Sequence, residues 1–270
     1  MNVPPLTWLY VPGDRPDRVE KAIASAAHAV IVDLEDGVAP AAKAEARANA
    51  TELLADRRDK PVYVRVNAPL SSLGRADLDA VSPLPLAGVL VPKVCGPADL
   101  DAVVGLEVPL HCLIETAVGV EAAYEIARHP AVAGISLGEA DLRSETGALE
   151  AGLDWPRARI VNAAVAAGLP RPPQSVYVRL RDPEGLAASC RRGRELGHLG
   201  RAAIHPEQLP IIEGASLPTE EEAERARATF ERLRAEGVGT LAGGEFVDAA
   251  MLAAAEQTLA LADRYGTAAP

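Results

Sequence analysis

The chain has 270 residues and a net charge of −11, with no Lys/Arg block long enough to form the basic stripe that nucleic-acid binding requires. It is 49% hydrophobic but only 3% aromatic, so the expected core is Val, Leu, Ile and Ala, the filling of parallel strands buried on both faces. Three widely spaced cysteines, Cys95, Cys112 and Cys190, suggest buried thiols, and with no membrane-length apolar run or leader pattern at Met1–Pro5 the cytoplasm is the default location.

From the N-terminus, short apolar runs alternate with helical patterns. The runs are Trp8–Val11, Ala29–Leu34, Val62–Val66, Val89–Val94, Leu110–Ile114, Val132–Leu137, Val176–Leu180 and Ala202–Ile204. Between them, stretches such as Arg18–Ala27, Ala39–Leu54, Val118–Ala127, Pro156–Ala167 and Glu184–Leu196 are rich in good helix formers. Repeated strand–helix units imply a parallel sheet, and eight of them fit the (β/α)8 TIM barrel, which needs about 250 residues. An open sheet would read similarly, so polar placement decides. Charged or catalytic-type residues stand at the C-terminal ends of seven runs: Asp14-Arg15, Glu35-Asp36, Arg65 with Asn67, Lys93, Glu115, Glu139 with Asp141, and His205. In a closed barrel all of these ends surround one mouth.

Past Ile212, Pro218-Thr219-Glu220-Glu221-Glu222 reads as a capped helix start leading into a charged, largely solvated helix to about Arg234. A Gly-rich break, Gly237–Gly244, precedes an Ala/Leu-rich helix at Glu245–Tyr265 whose apolar positions need a cover. The expected organisation is a barrel with its following helix over residues 1–236 and a C-terminal helical arm over 237–270, packing on its own barrel or a neighbour.

Glu115 and Asp141 emerge from consecutive strand ends, about 4.8 Å apart, so both carboxylates can reach one ion. Few oxygen ligands and open positions favour Mg²⁺; the plainer alternative is two solvated loop acids. Asp33, Glu35 and Asp36 crowd three carboxylates at one strand end, a costly arrangement unless cations sit nearby, either as a site or as a structural ion pair. Arg65, in a strict apolar strand, is suited to a substrate carboxylate or carbonyl, or to pairing with Glu35 or Asp36. Lys93 raises a Schiff-base alternative, but abundant acids should raise its pKa, which favours an electrostatic role. Arg15, Arg18 and Lys21 at a helix start form a candidate phosphate cradle, or a solvated face paired with Asp14, Asp17 and Glu20. His111 reads as a core residue; His205 stands at the rim, as a binding group or as a cap.

In order along the chain, Leu9-Tyr10-Val11-Pro12-Gly13-Asp14-Arg15-Pro16, Asp33-Leu34-Glu35-Asp36-Gly37-Val38, Val64-Arg65-Val66-Asn67, Pro92-Lys93-Val94, Leu113-Ile114-Glu115-Thr116, Gly138-Glu139-Ala140-Asp141-Leu142 and Gly200-Arg201-Ala202-Ala203-Ile204-His205-Pro206-Glu207-Gln208 resemble the citrate lyase β-subunit-like branch of the HpcH/HpaI aldolase and malyl-CoA lyase superfamily. The resemblance implies Mg²⁺ on Glu115 and Asp141, Arg65 on the keto-acid oxygen, and an acyl-CoA across the barrel mouth. It also implies that Asp248, in Gly244-Glu245-Phe246-Val247-Asp248, closes over a neighbouring subunit and handles the enolate proton, in a homotrimer or hexamer; a plain turn cap is the alternative. Gln174, where an acid is expected, and Arg201, where a Lys is usual, depart from the pattern and bear on the CoA contacts. The implied reaction is Mg²⁺-dependent cleavage, or formation, of a 3-hydroxyacyl-CoA such as a malyl-, citramalyl- or citryl-thioester, giving an acyl-CoA and a 2-keto acid. The alternatives are a CoA-independent class II pyruvate aldolase and a citrate lyase subunit acting on an acyl-carrier-protein thioester.

Overall fold

The computed structural model describes residues 3–103, 108–241 and 243–268. Residues 5–212 form one compact unit, and residues 213–268 with the first few residues form another. In the first unit, strands β1 (Thr7–Pro12), β2 (Ala29–Asp33), β3 (Val62–Arg65), β4 (Gly88–Val91), β5 (Leu110–Ile114), β6 (Val132–Leu137) and β7 (Arg201–Ala203) build one sheet in the order β6-β5-β4-β3-β2-β1-β7. Every pairing is parallel, as alternating strand–helix units require.

The sheet curls on itself. Trp8 on β1 and His111 on β5 are four strands apart, about 19 Å in a flat sheet, yet their rings lie 5.5 Å from centroid to centroid. Trp8 also meets Tyr63 at 4.8 Å, and with Ala29, Ile31, Leu90 and Ala202 it fills the interior. The result is a barrel-like α/β fold whose strands all end at one face.

One of the eight expected strands fails. Val176–Leu180 forms no ladder; only Gln174 bridges to Arg201. Pro172 and Pro173 bring no N–H to a ladder, and Val178 and Leu180 turn out to solvent at 69% and 51% exposure. The alternation of that run therefore marks chain leaving the sheet, and the eighth apolar run, as β7, pairs with β1.

The helical stretches form near their expected limits at Pro16–Ala24, Lys43–Leu53, Asp154–Ala166 and Pro183–Glu195. The stretch at 118–127 breaks into two short helices at Ala122. Three helices escaped the sequence reading: Ser72–Val81, capped by the Ser71 hydroxyl, Glu139–Thr146, which begins at the catalytic-type motif itself, and Leu209–Ser216.

In the second unit, helix Glu220–Glu236 begins with a full capping box between Thr219 and Glu222 and packs against helix Leu252–Tyr265. Its stripe of Ala223, Ala226, Thr229 and Leu233 is buried, so it is less solvated than its charge suggests. The last helix begins at Leu252 rather than near Glu245, because β9 (Phe246–Val247) pairs antiparallel with β8 (Gly239–Thr240) and Asp248 then caps a short turn. No helix among the described residues is long and apolar enough to cross a membrane.

Candidate active site

The C-terminal strand ends surround a cavity of about 460 Å³ lined by residues from all seven strands of the sheet and the loops after them, among them Tyr10, Asp33, Asp36, Arg65, Glu115 and Asp141. Its floor is the aromatic interior at Trp8 and His111. Burial lowers the His111 pKa to about 4, so this ring is neutral at physiological pH and serves packing.

Arg65 is the best-anchored cation. Asp33 and Arg65 are direct partners in the β2–β3 register, and both end their strands. Arg65 therefore donates from Nε to Asp33 Oδ1 at 2.7 Å and from Nη2 to Oδ2 at 2.6 Å. The same two oxygens accept the N–H groups of Glu35 and Gly37 at 2.9 and 2.8 Å. Four donors saturate the carboxylate, fixing the guanidinium as a planar fork. Burial opposes the charge of Arg65, but Asp33 and Glu35 outweigh it and hold the group firmly protonated. The sequence suggested Glu35 or Asp36 as its partner; among the described residues Asp33 is the principal one and Glu35 stands 3.0 Å from Nη1, with no ion pair to Asp36.

Glu35 is 4% exposed and lies between two cations, with Oε1 3.5 Å from Lys93 Nζ. Burial, first of all, raises its pKa. Its Oε2, the oxygen ion-paired with Arg65 Nη1 at 3.0 Å, is sealed from solvent and takes no further partner among the described residues. Behind it, Lys43, which the sequence reading passed over, donates to the carbonyls of Leu34 and Glu35 at 2.9 and 2.6 Å. Asn67 bonds the Leu34 carbonyl at 2.8 Å and Asp77 at 2.6 Å, tying β3 to the same turn.

Lys93 Nζ sits among carboxylates: 2.6 Å from Asp141 Oδ2, 3.6 Å from Glu115 Oε1 and 3.5 Å from Glu35 Oε1. Desolvation works against the ammonium, but Asp141 and the other carboxylates prevail and raise its pKa, as its acidic surroundings led us to expect. That is the reverse of what a Schiff-base lysine needs. Its backbone N–H donates to Glu115 Oε1 at 2.9 Å, an aim that requires the left-handed φ of 57°. Glu115, 4% exposed, has its pKa raised to about 7, chiefly by burial and against the pull of Lys93.

Glu115 and Asp141 thus present oxygens to one point, where the Lys93 ammonium stands in for a cation. Hard carboxylate oxygens, only two side chains and an open approach suit a divalent ion that keeps water or ligand in its remaining positions. Among the described residues, no group of three or more His, Cys, Asp or Glu side chains is arranged to hold an ion. Gly138 makes the arrangement possible, since a Cβ there would stand 2.5 Å from Glu115 Cβ.

The other expected site residues are less central. Glu139 is taken up by Arg157 through two hydrogen bonds of 2.8 and 2.7 Å. Arg15 pairs with Asp14 at 4.0 Å and Lys21 with Asp17 at 3.6 Å, both exposed, while Arg18 lines the cavity. His205 caps the turn after β7, its Nδ1 accepting from the Glu207 N–H at 3.3 Å. Gln174 and Arg201, the two departures, bond to each other, and Arg201 also donates to the Ser175 carbonyl at 2.9 Å. Arg201 opens β7, at the end of the strand away from the mouth, and is buried, while Gln174 and Ser175 line the cavity. Asp248, in the second unit, accepts the Ala250 N–H at 2.9 Å.

Residues 6–206 match the family model HpcH/HpaI aldolase/citrate lyase. A (3S)-malyl-CoA thioesterase of Cereibacter sphaeroides is 39% identical over 94% of this chain and 93% of its own. A citrate lyase subunit beta-like protein of Deinococcus radiodurans is 35% identical over 96% and 99%. Among solved structures, CitE of Mycobacterium tuberculosis in complex with magnesium, acetoacetate and coenzyme A superposes with a TM-score of 0.83 at 32% identity, covering 96% of this chain and 98% of that one.

Proposed function

Because the chain belongs to the HpcH/HpaI aldolase/citrate lyase family, we propose that it is a Mg²⁺-dependent enzyme that cleaves, or forms, the carbon–carbon bond of a 3-hydroxyacyl-CoA. The observation that carries this is Glu115 and Asp141 held on one point beside the Arg65 fork. Glu115 and Asp141 would hold Mg²⁺ there, and the ion would supply Lewis-acid polarisation of the substrate's hydroxyl or keto oxygen.

The residues divide the remaining work. Arg65, locked by Asp33, holds the carboxylate or keto oxygen of the acid half without having to reorganise. Asp36, at the cavity wall, takes the proton of the 3-hydroxyl, while Glu35, behind the wall, positions Arg65 and Lys93. As the bond between the hydroxyl-bearing carbon and the carbon next to the thioester carbonyl breaks, its electron pair passes into the thioester as an enolate and the hydroxyl carbon becomes the keto group. Asp248 of a neighbouring copy in a trimer or hexamer returns a proton to the enolate carbon, giving the acyl-CoA. The carrier's phosphates approach Arg15, Arg18, Lys21 and the His205 rim. Malyl-CoA, with a two-carbon keto acid as product, is the reference substrate.

A second reading, hydrolysis of the malyl thioester, is supported by the 39%-identical thioesterase. In calorimetric titrations and turnover assays, Asp141→Ala should lose Mg²⁺ binding and turnover together. Asp248→Ala should bind Mg²⁺ normally and lose turnover; the reverse pattern would overturn these roles.

A further inference from the structure

Lys93 combines two features that no other described residue shares. It is the single described non-glycine residue with a positive φ, and its ammonium occupies the point on which Glu115 and Asp141 converge. The backbone is fixed, because its N–H is bonded to Glu115 Oε1. The side chain is not, being 43% exposed, and so it can pivot on a fixed base.

The charges around it explain its placement. Among the described residues, the ion pairs of Asp33, Glu35, Glu115 and Asp141 run to Arg65 and Lys93, so two cations serve four carboxyl groups and the ammonium is the positive charge nearest the Glu115–Asp141 pair. A divalent ion bonded to both ligand carboxylates would lie about 2.1 Å from each oxygen, and Lys93 Nζ is already 2.6 Å from Asp141 Oδ2. The two cations are too close in charge and space to share that seat.

We infer that Lys93 is a built-in counter-ion that fills the seat between Glu115 and Asp141 in the metal-free protein and leaves it when the divalent cation enters. The lysine lets the acidic cluster fold before metal arrives, and it lowers the affinity for metal because the ion must displace it. This rests on the Mg²⁺ reading above and adds a positioning residue that sets how tightly the ion is held.

The test is calorimetric titration of Mg²⁺ into chelator-treated wild type, Lys93→Met and, as a charge control, Arg128→Gln, which removes an exposed cation paired with Glu125. Lys93→Met keeps the backbone N–H to Glu115 and loses only the ammonium. It should bind Mg²⁺ at least about tenfold more tightly than wild type, since a like charge beside the ion is gone. It should also melt at a lower temperature than wild type without Mg²⁺, the gap closing at saturating Mg²⁺. Lys93→Gly, which accepts the left-handed backbone freely, should show the same tightening and covers the case in which the methionine variant folds poorly. Equal or weaker Mg²⁺ affinity in the folded variants would overturn the inference. Absence of Mg²⁺ binding by wild type would overturn the metal reading itself, and this inference with it.

Discussion

Asp33→Asn isolates how the barrel holds its principal cation. Asp33 accepts four hydrogen bonds, two from Arg65 and two from backbone N–H groups, with its side chain 5% exposed and that of Arg65 13% exposed. An amide keeps one acceptor and turns an NH₂ toward donors, so at least two of the four contacts are lost and the charge of Arg65 is only half compensated. Breaking a buried pair from one side costs about 3–5 kcal/mol. Arg65 keeps Glu35 at 3.0 Å, so the loss falls just below that range, about 2–3 kcal/mol, or roughly 5–10 °C in melting temperature. Trp8, 5% exposed in the barrel interior, reports this unfolding by fluorescence in urea or on heating. KM for the acid substrate should rise as well, because the fork is no longer aimed. A midpoint shift below about 1 °C with unchanged KM would refute the claim that Asp33 fixes Arg65.

Two further outcomes follow from Glu115. Its folded-state pKa of about 7 lies above the ordinary value of 4.5, so the metal-free fold binds the extra proton between those limits. The stability linked to this group is complete below 4.5 and is lost as pH rises through about 7, which urea unfolding in chelator should show. Mg²⁺ needs the ionised form, so its apparent affinity should fall by up to about tenfold per pH unit below that pKa, and a flat profile from about pH 5.5 to 7.5 would contradict the assignment. Gly138→Ala should drive Glu115 off its aim, because the added methyl would stand 2.5 Å from Glu115 Cβ. The expected result is at least about tenfold weaker Mg²⁺ binding, with β6 still folded by circular dichroism.

Periodicity and order revealed most of the curled parallel sheet, because seven of the eight apolar runs became strands with polar residues at their ends. The run at 176–180 misled, since alternation does not register whether a neighbouring strand offers a free edge and Pro172-Pro173 weaken any ladder there. That Glu115, Asp141, Arg65 and Lys93 gather at one face was legible from their positions at or just past the ends of apolar runs, whereas the roles expected of them came from the resemblance as well. The partner of Arg65 was not, because Asp33 becomes its neighbour only through the β2–β3 register. Lys43 was hidden for a similar reason: in an ordinary helical pattern nothing local marks the lysine that reaches two carbonyls of the preceding loop. The tail misled through composition, since the Ala/Leu-rich stretch reads as helix before Leu252 although Phe246–Val247 pairs as a strand.

The most direct test of the proposed chemistry is to incubate the purified protein and Mg²⁺ with malyl-, citramalyl- and citryl-CoA and to identify every product by mass. A 2-keto acid with the matching acyl-CoA, lost on chelation and restored by Mg²⁺, is the predicted result. Release of free CoA with the intact hydroxy acid, and no keto acid at any time, would contradict carbon–carbon cleavage and leave thioester hydrolysis in its place.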